Sequence, residues 1–185
     1  MEQKNKNALI GGLLAVVFVM AVGYAAFATQ LNITGTASIT SNWHVGFDTD
    51  RTSDLVPTAG LSGAAEPTGS ISFDGDQSAT LTANFQQPGD KIVFTLTIEN
   101  TGSLDATLGT PSITMSNGSS GDGGLSVTSQ SGNIKFTVSN PVSSSLVANT
   151  GTTTMTVTAE FVNKELSSST NESATATITI NATQA

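Results

Sequence analysis

The sequence predicts an all-β protein: an antiparallel β-sandwich, with jelly-roll or immunoglobulin-like wiring, preceded by one N-terminal hydrophobic helix. Two observations carry this prediction. Residues 8–28 are uncharged and mostly apolar. From Leu31 onward, apolar and polar residues alternate with the period of two that marks half-buried strands. The 185 residues therefore divide into a signal peptide or membrane anchor, residues 1–28, and a single β-sandwich domain, residues 29–185.

The N-terminal segment has the composition of an export signal. Lys4 and Lys6 precede the apolar run, and Ala26-Phe27-Ala28 fits the small-x-small pattern after which signal peptidase cuts. Ala26 and Ala28 are therefore the predicted cleavage positions. The run is also long enough to span a bilayer, so an uncleaved anchor is the competing interpretation. A third is a prepilin leader cut after Gly12, although the glutamate usual near the new N-terminus is absent.

The domain that follows contains about nine short alternating segments. The first covers residues 31–47 and would extend over roughly 56 Å, so it predicts two strands broken near Gly35 or Ser41-Asn42. The apolar residues of this segment occupy its odd-numbered positions and include Trp43, Val45 and Phe47. The later predicted strands centre on residues 71–73, 79–85, 92–98, 104–108, 113–115, 125–127, 134–138, 155–161 and 174–180. Residues 48–70 are predicted to be a long connection, and residues 87–90 (Gln-Pro-Gly-Asp) a type II turn.

Composition excludes several function classes. The chain has no cysteine, so it has neither a disulfide framework nor a thiolate metal site. Removal of residues 1–28 leaves four basic and thirteen acidic side chains. A net charge of this sign argues against nucleic acid as a partner, because nucleic-acid binding needs a basic surface. Thr and Ser are abundant, with 29 and 23 copies, as suits exposed strands.

Residues that could carry chemistry are few. His44 is the single histidine, and its parity predicts a solvated side chain on the outward face of a strand. No Gly-x-Ser-x-Gly elbow or HExxH motif is present, so we expect a protein that is not an enzyme. Asp74 and Asp76 flank Gly75 and are weak candidates for a Ca²⁺ site. The alternative is that they are ordinary turn residues, and no other cofactor is predicted.

Three segments resemble a known family. They are residues 23–27 (Gly-Tyr-Ala-Ala-Phe) with residues 31–37 (Leu-Asn-Ile-Thr-Gly-Thr-Ala), residues 43–47 (Trp-His-Val-Gly-Phe), and residues 88–106, which begin Pro-Gly-Asp-Lys. Together they resemble the TasA/camelysin-like exported surface and biofilm-matrix proteins. The resemblance implies a jelly-roll-like sandwich that is exported and assembles into matrix fibres, in which the N-terminal strand of one subunit completes a sheet of the next.

On this resemblance the donor-strand candidates are Leu31, Ile33, Ala37 and Ile39. The alternative is that the same segment pairs with its own sheet as an ordinary first strand. We therefore expect an extracellular structural protein that is the subunit or accessory of a surface fibre. Its partners would be further copies or other surface proteins. The competing function is an adhesin-like binding module that an uncleaved N-terminal segment holds on the membrane.

Overall fold

The structure is a computed structural model that describes residues 2–27, 41–50, 54–116, 124–163 and 171–185. The chain divides into two compact units, residues 1–39 and 40–185. The first contains helix α1 (Glu2–Phe27). Within it, Gln3–Val22 is a 20-residue apolar span whose side chains are exposed. By length and composition this span matches a signal sequence or a membrane anchor.

The second unit is built from strands, as the alternation predicts. In chain order they are β1 (Val45–Phe47), β2 (Asp54–Thr58), β3 (Thr68–Phe73), β4 (Ser78–Phe85), β5 (Lys91–Asn100), β6 (Ala106–Leu108), β7 (Ser112–Met115), β8 (Ser126–Thr128), β9 (Ile134–Val138), β10 (Ser145–Leu146), β11 (Gly151–Phe161), β12 (Glu172–Thr179) and β13 (Ala182–Gln184). Every pairing among them is antiparallel. The all-β class with one preceding apolar helix is confirmed.

Two main sheets make up the sandwich. The first has the order β1-β5-β11-β9-β8, and β2 lies beside the other half of β5, end to end with β1. The second has the order β3-β4-β12-β7. A small third sheet, β10-β6-β13, lies where β5 ends.

One continuous core joins the inward faces of the two main sheets. Each long strand gives every second side chain to it, which is why the burial of β4, β5 and β11 alternates. Two aromatic pairs connect strands of different sheets. The ring centroids of Phe85 and Phe161 are 6.2 Å apart, and those of Phe47 and Phe73 are 5.8 Å apart. These tilted contacts add to the burial of apolar area that drives the sheets together.

Three features differ from the sequence predictions. The predicted connection over residues 48–70 contains β2, which has Pro57 in it; a proline is tolerated because β2 is an edge strand. Trp43 has the inward parity, but it lies ahead of β1 and is 38% exposed. The short strands β10 and β13 form where the alternation predicts none.

Residues 31–40 of the first predicted strands lie outside the described residues. The turn at 87–90 is confirmed, with Gly89 at φ 89°.

A buried carboxylate holds the loops at the end of the sandwich where β4 meets β5. Asp90 is fully buried and accepts hydrogen bonds from the backbone N–H groups of Gly60 (2.8 Å), Gln86 (2.8 Å) and Gln87 (3.1 Å). The loop after β2 lies so close to this turn that a Cβ added at Gly60 would collide with the carbonyl oxygen of Pro88. One side chain thus joins two loops that are 30 residues apart.

We expect Asp90→Ala to be strongly destabilising, because it leaves three backbone donors without their acceptor. Hydrogen bonds to charged groups contribute about 1.5–3 kcal/mol each, and the losses are not additive, so the expected decrease in the free energy of unfolding is about 3–5 kcal/mol. Urea unfolding followed by circular dichroism measures it. Asp105→Ala is the matched control, since the exposed Asp105 accepts one bond, from Ala148 N, and should cost about 1 kcal/mol. Equal losses for both variants would contradict this account.

Candidate assembly site

Two neighbouring strand edges on one side of the sandwich have no backbone partner among the described residues. In the first sheet β2 pairs with β5 on one side only, and in the second sheet β3 pairs with β4 on one side only. We call the side where these two edges meet the open seam, formed by β2 and β3. Unpaired edges of this kind present main-chain N–H and C=O groups to which another strand can add.

The inward side chains along the open seam are incompletely covered. The affected side chains are those of Leu55, Pro57, Ile71 and Phe73, all half-buried. The apolar inward residues of β4 and β5, by contrast, are at most 1% exposed. Leu55, Ile71 and Phe73 pack against the core from its margin. The seam is therefore a place where added apolar side chains would lie against the existing core and remove further surface from water.

Gly69 lets the two sheets approach each other at the centre of the open seam. A Cβ built on Gly69 would lie 2.9 Å from the carbonyl oxygen of Thr82, 3.1 Å from Phe94 Cζ and 3.2 Å from Leu55 Cδ1. A larger residue here would push β2 and β3 apart. At Gly69 the two sheets are therefore in close contact, whereas the side chains of Ile71 and Phe73, further along β3, remain half-buried.

The opposite side of the sandwich is closed by the chain itself. There β7 ends the second sheet and β8 ends the first, and a bridge between Ile113 and Gly124 links the two sheets. The N–H of Ile113 donates to the carbonyl of Gly124 at 3.0 Å, and Val138 N donates to Leu125 O at 2.7 Å. Within the described part of the chain, such a bridge is missing at the open seam, where adjacent edges of both sheets stay unpaired.

The residues that lead into β1 are fixed to the turn after β5. Asn42 N donates to Ser103 Oγ (2.9 Å), and Ser103 N donates to Asn42 O (2.8 Å). The N–H groups of Thr101 and Gly102 both donate to His44 O at 3.1 Å. We call residues 41–44 with the turn 101–103 the N-terminal anchor. It fixes residues 41–44 beside the end of β5.

His44 contacts two side chains at this anchor rather than standing free in solvent. Its Nδ1 lies 2.6 Å from Thr101 Oγ1, and its Nε2 lies 3.3 Å from Asp76 Oδ2. The prediction of an outward, solvated histidine missed both contacts, which are made to residues distant in sequence. A hydroxyl, an imidazole and a carboxylate in series resemble a catalytic triad, but Thr101 N and Gly102 N are bonded to His44 O, so these amides do not form an oxyanion hole.

The two aspartates predicted for Ca²⁺ have different partners. Asp74 Oδ2 accepts a hydrogen bond from Thr80 Oγ1 at 2.5 Å, and Asp76 faces His44. The backbone carbonyl of Asp76 accepts from Phe47 N at 2.6 Å, so this turn also ties β1 to the second sheet. Among the described residues, no group of three or more His, Asp or Glu side chains could hold a metal ion. The Ca²⁺ site stays a prediction from two carboxylates.

The other predicted site residues fall partly outside what the structure describes. Ala28 and the donor-strand candidates Leu31, Ile33, Ala37 and Ile39 lie in residues 28–40, outside the described ranges. Ala26 lies near the end of α1. Sequence reasoning predicted the edge strand β3 from residues 71–73 but missed its neighbour β2, because it predicts a loop where β2 forms. The run Leu55-Val56-Pro57 was the available signal, since a proline in an apolar run indicates an edge strand.

We expect Gly102→Ala to release the N-terminal anchor. A Cβ at Gly102 would stand 2.6 Å from His44 N and 2.7 Å from Asn42 O, so the backbone of residues 42–44 must move. Trp43, the single tryptophan, reports this directly: we expect its fluorescence to become more accessible to acrylamide and the stability to fall by about 1–3 kcal/mol.

Gly109→Ala is the matched control for this prediction, because its added Cβ would meet nothing closer than 3.7 Å. Unchanged acrylamide quenching of Trp43 in Gly102→Ala, relative to Gly109→Ala, would show that the anchor is not formed as described.

Comparison of the chain with protein-family models, with curated proteins and with solved structures found no match. We therefore infer its function from the open seam, the N-terminal anchor and the sequence that precedes them.

Proposed function

We propose that this protein is an extracellular structural protein that assembles into a surface fibre by strand addition. The N-terminal strand of one exported copy, carrying Leu31, Ile33, Ala37 and Ile39, adds to the open seam of the next copy. The observation that carries the proposal is the open seam, where edges of both sheets are unpaired among the described residues and the side chains of Ile71 and Phe73 are half-buried.

The chemistry of the two segments is complementary. Residues 31–39 alternate apolar and polar side chains, so a strand paired along the seam places its apolar side chains on the core side. Of the two edges, β3 is the better acceptor. Pro57 lacks an N–H, and a proline within an edge strand has its nitrogen on the unpaired side. The free edge of β2 therefore offers one donor fewer, whereas β3 contains no proline.

The length of the segment before the N-terminal anchor is compatible with addition to a second copy. The anchor fixes residues 41–44 beside the end of β5. The twelve residues 29–40 extend over about 40 Å, which exceeds the roughly 33 Å of the ten-residue strand β5. The segment is therefore long enough to reach a seam while residues 41–44 stay held, and the competition experiment below separates the seam of a second copy from that of the same chain.

A membrane-held binding module is the second candidate function. It is favoured by the 20-residue apolar span Gln3–Val22 within an uninterrupted helix, which suits an anchor as well as a signal peptide. The mass of the exported protein separates the two forms. Loss of residues 1–28 frees the donor segment and supports the fibre, whereas an intact N-terminus supports the membrane-held module.

Glutamate substitutions at apolar positions of the donor segment, compared with substitutions at its polar positions, test the fibre. We expect the double variant Leu31→Glu/Ile33→Glu to abolish polymers of the exported protein, because two carboxylates would have to be buried against the core. Asn32→Glu/Thr34→Glu is the matched control: it adds the same charge to the same segment on the opposite parity and should leave polymers intact. Electron microscopy and sedimentation measure the polymer, and circular dichroism confirms that both variants are folded.

A competition experiment separates addition in trans from pairing within one chain. An excess of a synthetic peptide with the sequence of residues 29–40 should occupy the open seam and shorten or prevent the polymers. Polymers of normal length in the presence of the peptide, together with polymers in the Leu31→Glu/Ile33→Glu variant, would overturn strand addition.

A further inference from the structure

The outer face of the second sheet carries no charged side chain at its described outward strand positions. These positions alternate with the inward ones along each strand. Twelve are hydroxyl residues and one is an asparagine; they are Thr68, Ser70, Ser72, Ser78, Thr80, Thr82, Asn84, Ser112, Thr114, Ser173, Thr175, Thr177 and Thr179. We call this surface the hydroxyl face.

The pairing register arranges these residues in rows across the strands. Ser72, Thr80, Thr177 and Thr114 form one row, and Ser70, Thr82 and Thr175 form the next. Neighbours are about 4.8 Å apart across the strands and about 6.7 Å apart along them. Thr82 Oγ1 and Thr175 Oγ1 are 3.3 Å from each other, so the hydroxyls already pair on the surface. Asp74 borders the array and is bonded to Thr80.

The outer face of the first sheet is different, although it is also rich in threonine. Its outward positions include five charged residues, namely Asp54, Lys91, Glu99, Lys135 and Glu160. Lys91 and Lys135 lie opposite Glu160 on either side of β11. Among the described residues of the two main sheets, only the second sheet lacks charge on its outer face. Threonine content does not account for this difference, because both faces are rich in threonine.

The net negative charge of the chain makes the uncharged outer face of the second sheet a favourable place for two copies to meet. The chain has a net charge of −8, so two copies repel one another over most of their surface. Two hydroxyl faces can meet without opposing carboxylates at their outward positions. A hydroxyl both donates and accepts, so the face is chemically complementary to itself, as an isologous contact between identical copies requires.

We propose that the hydroxyl face is a lateral contact between copies of this protein, face to face through the second sheet. The four strands cover about 19 Å by 26 Å, or about 500 Å² per copy, so a pair buries about 1,000 Å². This is the lower limit for a specific interface, and a polar one of that size is weak. The contact becomes effective when a polymer repeats it, and in this respect it rests on the proposed function.

Single cysteines test the contact, because the chain has none of its own. Thr177→Cys places a thiol near the centre of the hydroxyl face. Thr158→Cys is the matched control: it is an equally half-buried threonine on the outer face of the first sheet, between Val93 and Thr137. With a short bismaleimide, we expect the polymeric exported protein to form at least about tenfold more dimer through Thr177→Cys than through Thr158→Cys.

Equal dimer yields from the two variants in the polymer would overturn the lateral contact while leaving the fibre in place. If no polymer forms, the proposed function fails. The lateral contact is then tested with the concentrated protein, where excess dimer through Thr177→Cys supports it and equal yields overturn it. Protection of the introduced thiol of the Thr177→Cys variant from maleimide, without dimer, would mean that a different matrix component covers the face, which also contradicts the proposal.

A second variant keeps the test independent of the cross-linker. Thr177→Glu places a carboxylate on both copies of the contact, and we expect it to separate bundled fibres into single ones in electron micrographs. Thr158→Glu should leave bundles as they are. Bundles of unchanged width in Thr177→Glu would overturn the proposal.

Discussion

The constraint on which this structure depends is that every strand edge needs a partner or a cover. A two-sheet sandwich buries its inward faces through the period-two alternation, but it leaves edges on two sides. On one side the chain itself closes the gap, through the bridge of Ile113 to Gly124. On the other side, β2 and β3 end with unpaired edges among the described residues. Ile71 and Phe73 remain half-buried beside those edges, so a further strand would find both backbone partners and apolar contacts there.

The regular parts of this fold follow from local sequence, and the candidate assembly site does not. Strict alternation predicts β4, β5, β11 and β12, because a strand with one buried face must alternate. Trp43 shows the limit: its parity is apolar, yet backbone bonds between its neighbours and the turn 101–103 hold it at the margin of the core. The contacts of His44 join residues far apart in sequence: the register of β1 with β5 brings it to Thr101, and the bond from Phe47 N to Asp76 O brings it to Asp76. Patterning misses the edge strand β2 because Pro57 is typical of a loop.

The two outer faces show how one amino-acid type can serve two surfaces. Threonine suits any exposed strand, since its branched side chain fits a pleated surface, and it is abundant on both sheets here. The first sheet adds a Lys91–Glu160–Lys135 row and two further acids, which keep that face solvated. The second sheet omits charge from its described outward positions. Selection for solubility alone would not need this difference, because charge on both faces would serve it better.

On the proposed function, the anchor and the seam connect export to assembly. Residues 41–44 are held to the turn 101–103 by hydrogen bonds of their main chain. On this proposal, cleavage after Ala28 separates the segment before the anchor from the apolar span and frees it to add to another copy. Before cleavage, the seam and its strand would be on molecules confined to a surface. After cleavage both would be free, and the net charge of the chain would oppose contacts between copies other than strand addition. The same cut that releases the protein would thus start its polymerisation, with no separate signal required.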